Sequence, residues 1–325
     1  MKPQLHLLSE ASSMAPRIDT LFWFMIVLCM VVAVGVFMVA VYFMVKYRRG
    51  SRADRSDRHK QSTGIESTWT LIPLAIFFGV FVWSAVLYVQ LRTPPANAET
   101  IYVVAKQWMW KIQHPGGQRE INTLHVPLGK PIRLVMTSQD VIHSFSVPAF
   151  RVKEDVLPGR YTQLWFTPTE LGHFRLFCNQ YCGLDHSKMD GEIIVMRPAA
   201  YARWLDKHAG PESLAAHGAA LFRSAGCSGC HGANASVHAP DLDGIYGRRV
   251  HLSDGSTAVA DNRYIRDSIL LPDSQVVAGY SPIMPSFQGQ LSQSDVLALI
   301  AYLKSTTKTA PHPPAVGSES THERH

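Results

Sequence analysis

The sequence predicts a multidomain membrane protein: a two-helix transmembrane hairpin, then a β-sandwich or Greek-key barrel, then an all-α domain. Three observations carry this. Leu21–Val45 and Leu71–Leu91 are uncharged runs of 25 and 21 residues. Beyond Thr100 apolar residues alternate with period two between Gly and Pro punctuation. Beyond Ser213 the apolar period becomes helical.

A bilayer core needs about 20 apolar residues at helical rise, so both runs qualify as spans. A core helix seldom stays uncharged on every face for that length. The first run is too long, and too far from the start, for a signal h-region, although cleavage within residues 1–20 stays open. Residues 1–20 are polar and mixed and form an N-terminal segment. Residues 21–96 hold the hairpin, its loop and the Pro-rich linker that runs on to Glu99. Between Lys46 and Lys60 lie seven Lys/Arg against Asp54 and Asp57. The positive-inside rule puts this loop in the cytoplasm. The N-terminus and everything after Leu91 then lie outside, the oxidising side in a bacterium. The net charge of +6 is thus largely a topology signal. No basic groove interleaved with aromatics is visible, which argues against nucleic acid. Cys29 packs within the first span. Trp69 and Trp83 suit interface or bundle positions. Glu66, just before the second span, is a solvated carboxylate or a point where protons enter.

Residues 97–197 form the β domain. Ile101–Ala105, Gln107–Lys111, Pro131–Thr137, Tyr161–Phe166, His173–Phe177 and Gly191–Met196 read as strands. Trp108 and Trp110 have the same parity, which on one strand gives them one face; one is expected in the core and the other exposed. Between the last two strands lies Cys178-Asn-Gln-Tyr-Cys182-Gly-Leu-Asp-His186-Ser-Lys-Met189. Two thiols, an imidazole and a thioether are spaced four, four and three apart. Thiolate and thioether are soft ligands, so the set favours copper over zinc, whose sites rarely include methionine. A disulfide and half a structural zinc site are the other readings. His143, at the end of an earlier strand, supplies the further ligand of a two-metal site. Two coppers bridged by two thiolates then each have a terminal imidazole, with Met189 as a weak extra ligand.

Residues 197–212 read as a short bridge, and a small helical domain occupies 211–308. Its signature is Cys227-Ser-Gly-Cys230-His231, the attachment motif of a c-type haem. The alternative is a redox or zinc CxxC, against which the adjacent His argues. Met284 is the domain's one methionine and is expected opposite His231 on the iron; His238 and His251 rank below it. Ser292 and Asp295 form an N-terminal capping pattern. Val296, Leu299, Ile300 and Leu303 make a stripe expected to pack on the domain's first helix. Residues 309–325 are expected to be disordered.

In their order, the two spans, Glu66-Ser-Thr-Trp69-Thr-Leu-Ile-Pro73, Gln107-Trp108-Met-Trp110, Asp140-Val-Ile-His143-Ser-Phe and Cys178–Met189 resemble subunit II of the haem–copper cytochrome c oxidases. The resemblance covers about residues 20–196, and residues 211–308 resemble a class I cytochrome c. It implies a cupredoxin-like β domain holding the binuclear copper centre CuA. The ligands so implied are His143, Cys178, Cys182, His186, Met189 and the backbone carbonyl of Gln180. Trp108 matches the aromatic through which electrons reach the copper, and Glu66 the carboxylate of a proton channel. The family usually has Glu where this chain has Gln180. That Glu side chain also reaches a magnesium ion at the border with subunit I, and a neutral amide is a poorer ligand for a hard cation. No magnesium role is therefore assigned to Gln180.

The resulting expectation is an electron-transfer subunit of a bacterial inner-membrane oxidase, with both metal domains on the extracytoplasmic side. The donor is cytochrome c or an upstream complex. Subunit I, and with it subunit III, are the partners, and subunit I reduces oxygen with coupled proton translocation. Neither span contains a histidine, so the oxygen-reducing centre lies in the partner. Two rivals come from other classes: a membrane-anchored copper-delivery protein, and a tethered cytochrome whose β domain binds no metal.

Overall fold

The structure is a computed structural model and describes residues 9–55, 62–209, 213–232, 235, 237 and 239–307. His238, the end of the basic loop and the expected disordered tail lie outside the described residues. The chain divides into two compact units, the second of which begins at Ala209 and also takes in residues 115–117.

The first unit starts with α1 (Ala15–Lys46) and α2 (Thr63–Arg92), of 32 and 30 residues. At about 1.5 Å rise per residue both are longer than a hydrocarbon core, so their ends reach past the bilayer. That is why they extend beyond the uncharged runs. Ser62 caps α2 by accepting from the Ile65 amide at 3.4 Å, which places Glu66 inside the helix's first turn. Neither span has a polar face; Phe37 and Phe77 point outward like most of their neighbours. The helices run antiparallel, with Arg17 Nη1 donating to Gln90 Oε1 and the Phe24 and Trp83 rings 5.5 Å apart.

Ten strands follow. They are β1 (Glu99–Lys106), β2 (Met109–Gln113), β3 (Arg119–Ile121), β4 (Thr123–Pro127), β5 (Ile132–Ser138), β6 (His143–Val147), β7 (Val152–Val156), β8 (Thr162–Phe166), β9 (Gly172–Cys178) and β10 (Asp190–Met196). They form two five-stranded sheets, β3-β2-β1-β5-β8 and β4-β10-β9-β6-β7. Pairs β1–β5 and β4–β10 are parallel and the rest antiparallel. The inner faces bury Trp110, Phe145, Phe150, Phe166 and Phe174 completely, as alternation on a half-buried strand requires. Burial of such rings removes about 150–250 Å² each from water, which makes them the main apolar contribution to this core.

The β domain grips the outer end of the hairpin. Trp165 Nε1 donates to Gln90 O at 3.1 Å, and Arg151 makes a two-pronged pair with Asp19. Ala11 N donates to Ala149 O and Ser13 N to Thr167 O, so the segment before α1 is stitched onto the sheets. Ala11 and Ser12 are fully buried. The polar N-terminal segment is therefore partly core. The expected bridge at 197–212 also differs: α3 (Pro198–Lys207) occupies most of it. Its moment comes from Tyr201 and Trp204, which pack down on the β domain while Arg203 and Lys207 stay exposed.

The second unit is helical. It contains α4 (Leu214–Ser224), α5 (Ser228–His231), α6 (Asn262–Leu270) and α7 (Gln293–Thr306). A two-stranded ribbon, β11 (Arg249–His251) with β12 (Thr257–Val259), was not expected of an all-α domain. Gly at 247 and 255, both at positive φ, lets the chain turn there. Ser213 caps α4, and the Ser292/Asp295 capping box starts α7. The α7 stripe of Val296, Leu299, Ile300 and Leu303 is buried, as expected. At the crossing with α4, a Cβ on Gly218 would lie 2.0 Å from Ala298 O, so only glycine permits this approach.

Candidate functional site

Strand β9 ends on Cys178, and the amide of Cys178 donates to Met189 O at 3.1 Å, closing residues 178–189 into a loop pinned at its base. A single 3-10 turn, His186–Lys188, aims His186 inward. β6 lies beside β9 with Phe145 opposite Cys178, which carries His143 to the same end of the sheet. His143 is thus the first residue of its strand and not the last.

These elements bring the expected donors together. The Cys178 and Cys182 Sγ atoms are 3.8 Å apart, and both thiols are free. His143 Nδ1 lies 4.0 Å from Cys178 Sγ, and His186 Nδ1 lies 3.4 Å from Cys182 Sγ. Met189 Sδ is 3.8 Å from Cys182 Sγ, and the Gln180 carbonyl 3.3 Å from Cys178 Sγ. His143, Cys178, Cys182 and Met189 are buried, while the Gln180 side chain is exposed. Two sulfurs are thus flanked by an imidazole on each side. This fits a pair of soft metal ions better than a closed four-ligand zinc site.

Charge supports the same fit. Burial works against the Cys178 thiolate, but His143, hydrogen bonds at the Gln180 and Ser144 backbone and Cys182 together outweigh it and lower its pKa below the ordinary thiol range. Burial and the charge on Cys178 push Cys182 up. A metal cation must offset that repulsion before both thiols ionise. Sequence reasoning assigned no role to Asp140. Its Oδ1 accepts from His143 Nε2 at 2.9 Å, so Nε2 carries the proton and Nδ1 turns its lone pair to the sulfurs. The signal was the Asp three residues before the His.

Trp108 does not share a strand with Trp110. It lies in the turn between β1 and β2, while Trp110 lies on β2 with its ring in the core against Phe145. The Trp108 ring rests on Gly183: a Cβ there would sit 3.3 Å from Trp108 Cζ2. One Trp is core and the other half-buried over the metal loop. Glu66 is not part of this cluster; it is exposed in α2's first turn, at the far end of the hairpin.

In the second unit an apolar cavity is lined by Cys227, Cys230, His231, Ile265, Tyr264 and Met284, among others. His231 Nδ1 faces Pro240 O at 2.8 Å and must donate to it, leaving Nε2 with its lone pair. An apolar cavity whose lining includes two thiols, an imidazole and a thioether fits a covalently attached haem. His251 is exposed on β11 and does not line the cavity. Pro240, like Asp140, was not singled out from sequence.

Comparison with known families matches three stretches of the chain. Residues 1–87 match the transmembrane domain of cytochrome c oxidase subunit II, 118–197 its periplasmic domain, and 215–307 cytochrome c. The chain belongs to the cytochrome c oxidase subunit II family. It is a subunit of a haem–copper terminal oxidase, with a fused cytochrome c domain, and works in electron transfer. A subunit 2 from Alkalihalophilus pseudofirmus is 27% identical over 302 residues, covering 86% of this chain and 84% of that one. One from Cereibacter sphaeroides is 28% identical, covering 62% and 79%. The crystallised periplasmic domain of subunit II from Bradyrhizobium japonicum is 33% identical, covering 36% of this chain and 96% of that domain, with a TM-score of 0.35. Two transmembrane helices thus anchor the subunit, with its subunit II domain in the periplasm.

Proposed function

We propose that the subunit accepts electrons in its cytochrome c domain, passes them through the metal loop of its β domain and delivers them to subunit I. There oxygen is reduced to water with coupled proton translocation. The setting is a bacterial inner membrane, with both metal domains outside. Subunit I, and with it subunit III, are the membrane partners; cytochrome c or an upstream complex is the donor. When bound, the haem and the copper pair supply one-electron carriers that change charge without gaining or losing ligands.

The observation that carries this reading is the pair of thiols flanked by His143 and His186. Cys178, Cys182, His143 and His186 would hold the copper pair, with Met189 and the Gln180 carbonyl as further donors. Asp140 holds His143 in the tautomer that can ligate. Burial keeps water from the sulfurs. Trp108 covers the loop as the route for incoming electrons, and Glu66 marks a proton path at the cytoplasmic end of α2. In the second unit Cys227 and Cys230 would attach the haem, and His231 and Met284 would ligate its iron. A methionine opposite histidine raises the potential of such a haem.

The test is metal analysis and EPR on the purified, haem-loaded protein. Two coppers per haem, with one unpaired electron shared over both, is the expected result. One copper with a localised signal would turn the assignment to copper delivery. None in a well-folded sample would leave a tethered cytochrome.

A further inference from the structure

Gln107 and Trp108 make the turn between β1 and β2, and this turn touches both loops that carry the metal donors. The Gln107 amide donates to Asp140 Oδ2 at 2.8 Å, on the loop leading to His143. Its side-chain Nε2 donates to Cys182 O at 2.8 Å, inside the 178–189 loop. A Cβ at Gly183 would come within 2.9 Å of Gln107 Nε2, so glycine there leaves room for the contact. Gly183 also sits at φ +116°, a conformation that favours glycine.

The Trp108 ring has no clamp of its own. Its Nε1 is buried and has no hydrogen-bond partner among the described residues. The ring packs on Gly183 and against the apolar core, contacts that carry no direction and leave it free to slide along the loop. Gln107, the residue before it, is bonded on two sides and removes that freedom. We propose that Gln107 is the positioning residue that holds Trp108 against the copper loop and so sets the rate at which electrons reach it.

The proposal rests on Trp108 being the electron route. In that step one electron leaves a reduced c-type haem and arrives at the oxidised metal pair; no bond forms or breaks and no proton moves. Tunnelling falls steeply with gap, and a displacement of about 1 Å at a reacting group can cost up to about 100-fold in rate. Removing Gln107's side-chain bond should leave the fold intact. β1 and β2 are paired over five positions, and fully buried Trp110 anchors the hairpin.

The experiment is flash reduction of haem c in the whole oxidase, followed by its reoxidation, in Gln107→Leu, Trp108→Phe and the double variant. Gln107→Glu, which keeps length but not the donor, is the second single variant. The Gln107 variants should slow reoxidation by about 10-fold or more while the copper EPR spectrum and potential stay as in wild type. The double variant should be no slower than Trp108→Phe alone. Wild-type rates in both Gln107 variants, or effects that multiply in the double variant, would sink the proposal. An altered copper spectrum would make Gln107 a shaper of the metal site and overturn it as well. Wild-type transfer in Trp108→Phe would remove the role of Trp108 itself, a separate failure.

Discussion

At the residue scale, Asp140 joins parts of the site that the sequence presents separately. One carboxylate accepts from the His143 ring, the Val141 amide and the Gln107 amide. Burial opposes its ionisation, but these donors outweigh it and hold its pKa below the usual carboxylate range. Asn at this position keeps one acceptor and gains a donor, so it cannot serve all three. Asp140→Asn should weaken copper binding about 10- to 100-fold, the usual effect of losing the group that orients a ligating imidazole. Competition against a chelator measures it; unchanged affinity would show that His143 needs no such partner. The cluster of Cys178, Cys182, His143, His186 and Met189 was legible because its residue types and spacing carry the chemistry. Asp140, Gln107 and Pro240 were not, since an Asp, a Gln or a Pro carbonyl has many commoner uses and only the fold selects one.

At the element scale, α3 shows what periodicity misses. Ten residues between two domains gave too little pattern to set a helix against a bridge. The tertiary contacts make it. Tyr201 OH lies 3.1 Å from His114 Nδ1 and donates to Glu99 Oε1 at 3.0 Å. Trp204 stacks on His125 at 4.4 Å. Behind them Glu120 accepts from His114 Nε2 and His125 Nδ1. Burial raises the Glu120 pKa, but the two histidines outweigh burial and bring it below the usual carboxylate range. A depressed carboxyl stabilises the fold above its unfolded pKa, and that contribution is lost as pH falls through the folded value. The α3 amides should therefore stay protected from hydrogen exchange at neutral pH and open only once the pH falls below the usual carboxylate range. Glu120→Gln leaves one imidazole donor unmatched and should cost about 1–3 kcal/mol at neutral pH. Protection of Tyr201–Lys207 that ignores both the acid and the substitution would refute this mooring. The Gly218 contact on Ala298 belongs to the same scale: the α7 stripe announced a packed helix, but nothing in the sequence named the partner glycine.

At the scale of the whole molecule, the three blocks were legible because each has its own physical signature. Charge-free length marks a span, period two a half-buried sheet, and a CxxCH within helical periodicity a cytochrome c domain. The topology has support from two independent sources. The basic loop argues from charge. The structure argues from contacts, since Asp19 near the start of α1 and Gln90 near the end of α2 both bind the β domain. A hairpin held at one end by the β domain turns at its other end, on the far side of the membrane from that domain. The N-terminal strand-like segment escaped the sequence reading because Glu10-Ala-Ser-Ser is polar in composition, and only its backbone pairing buries it.

Because the metal donors lie in one unit and the haem motif in the other, the two sites can be broken separately. Cys182→Ser tests this. A serine hydroxyl is a hard, reluctant donor where the site calls for a bridging thiolate. The β fold should survive, since Cys182 sits in the loop and not in a strand. The CxxCH motif proposed to attach the haem, Cys227, Cys230 and His231, lies in the other unit. The variant should therefore show a normal reduced haem c spectrum when an external donor is added, while electron flow beyond the haem falls to background. A normal rate of oxygen consumption would mean that electrons reach subunit I without the β-domain site, and the serial order of the two centres would be wrong. Loss of both the haem spectrum and the copper signal would instead mean that the loop is needed for the protein to mature, which expression of Cys178→Ser alongside would separate from a local effect at Cys182.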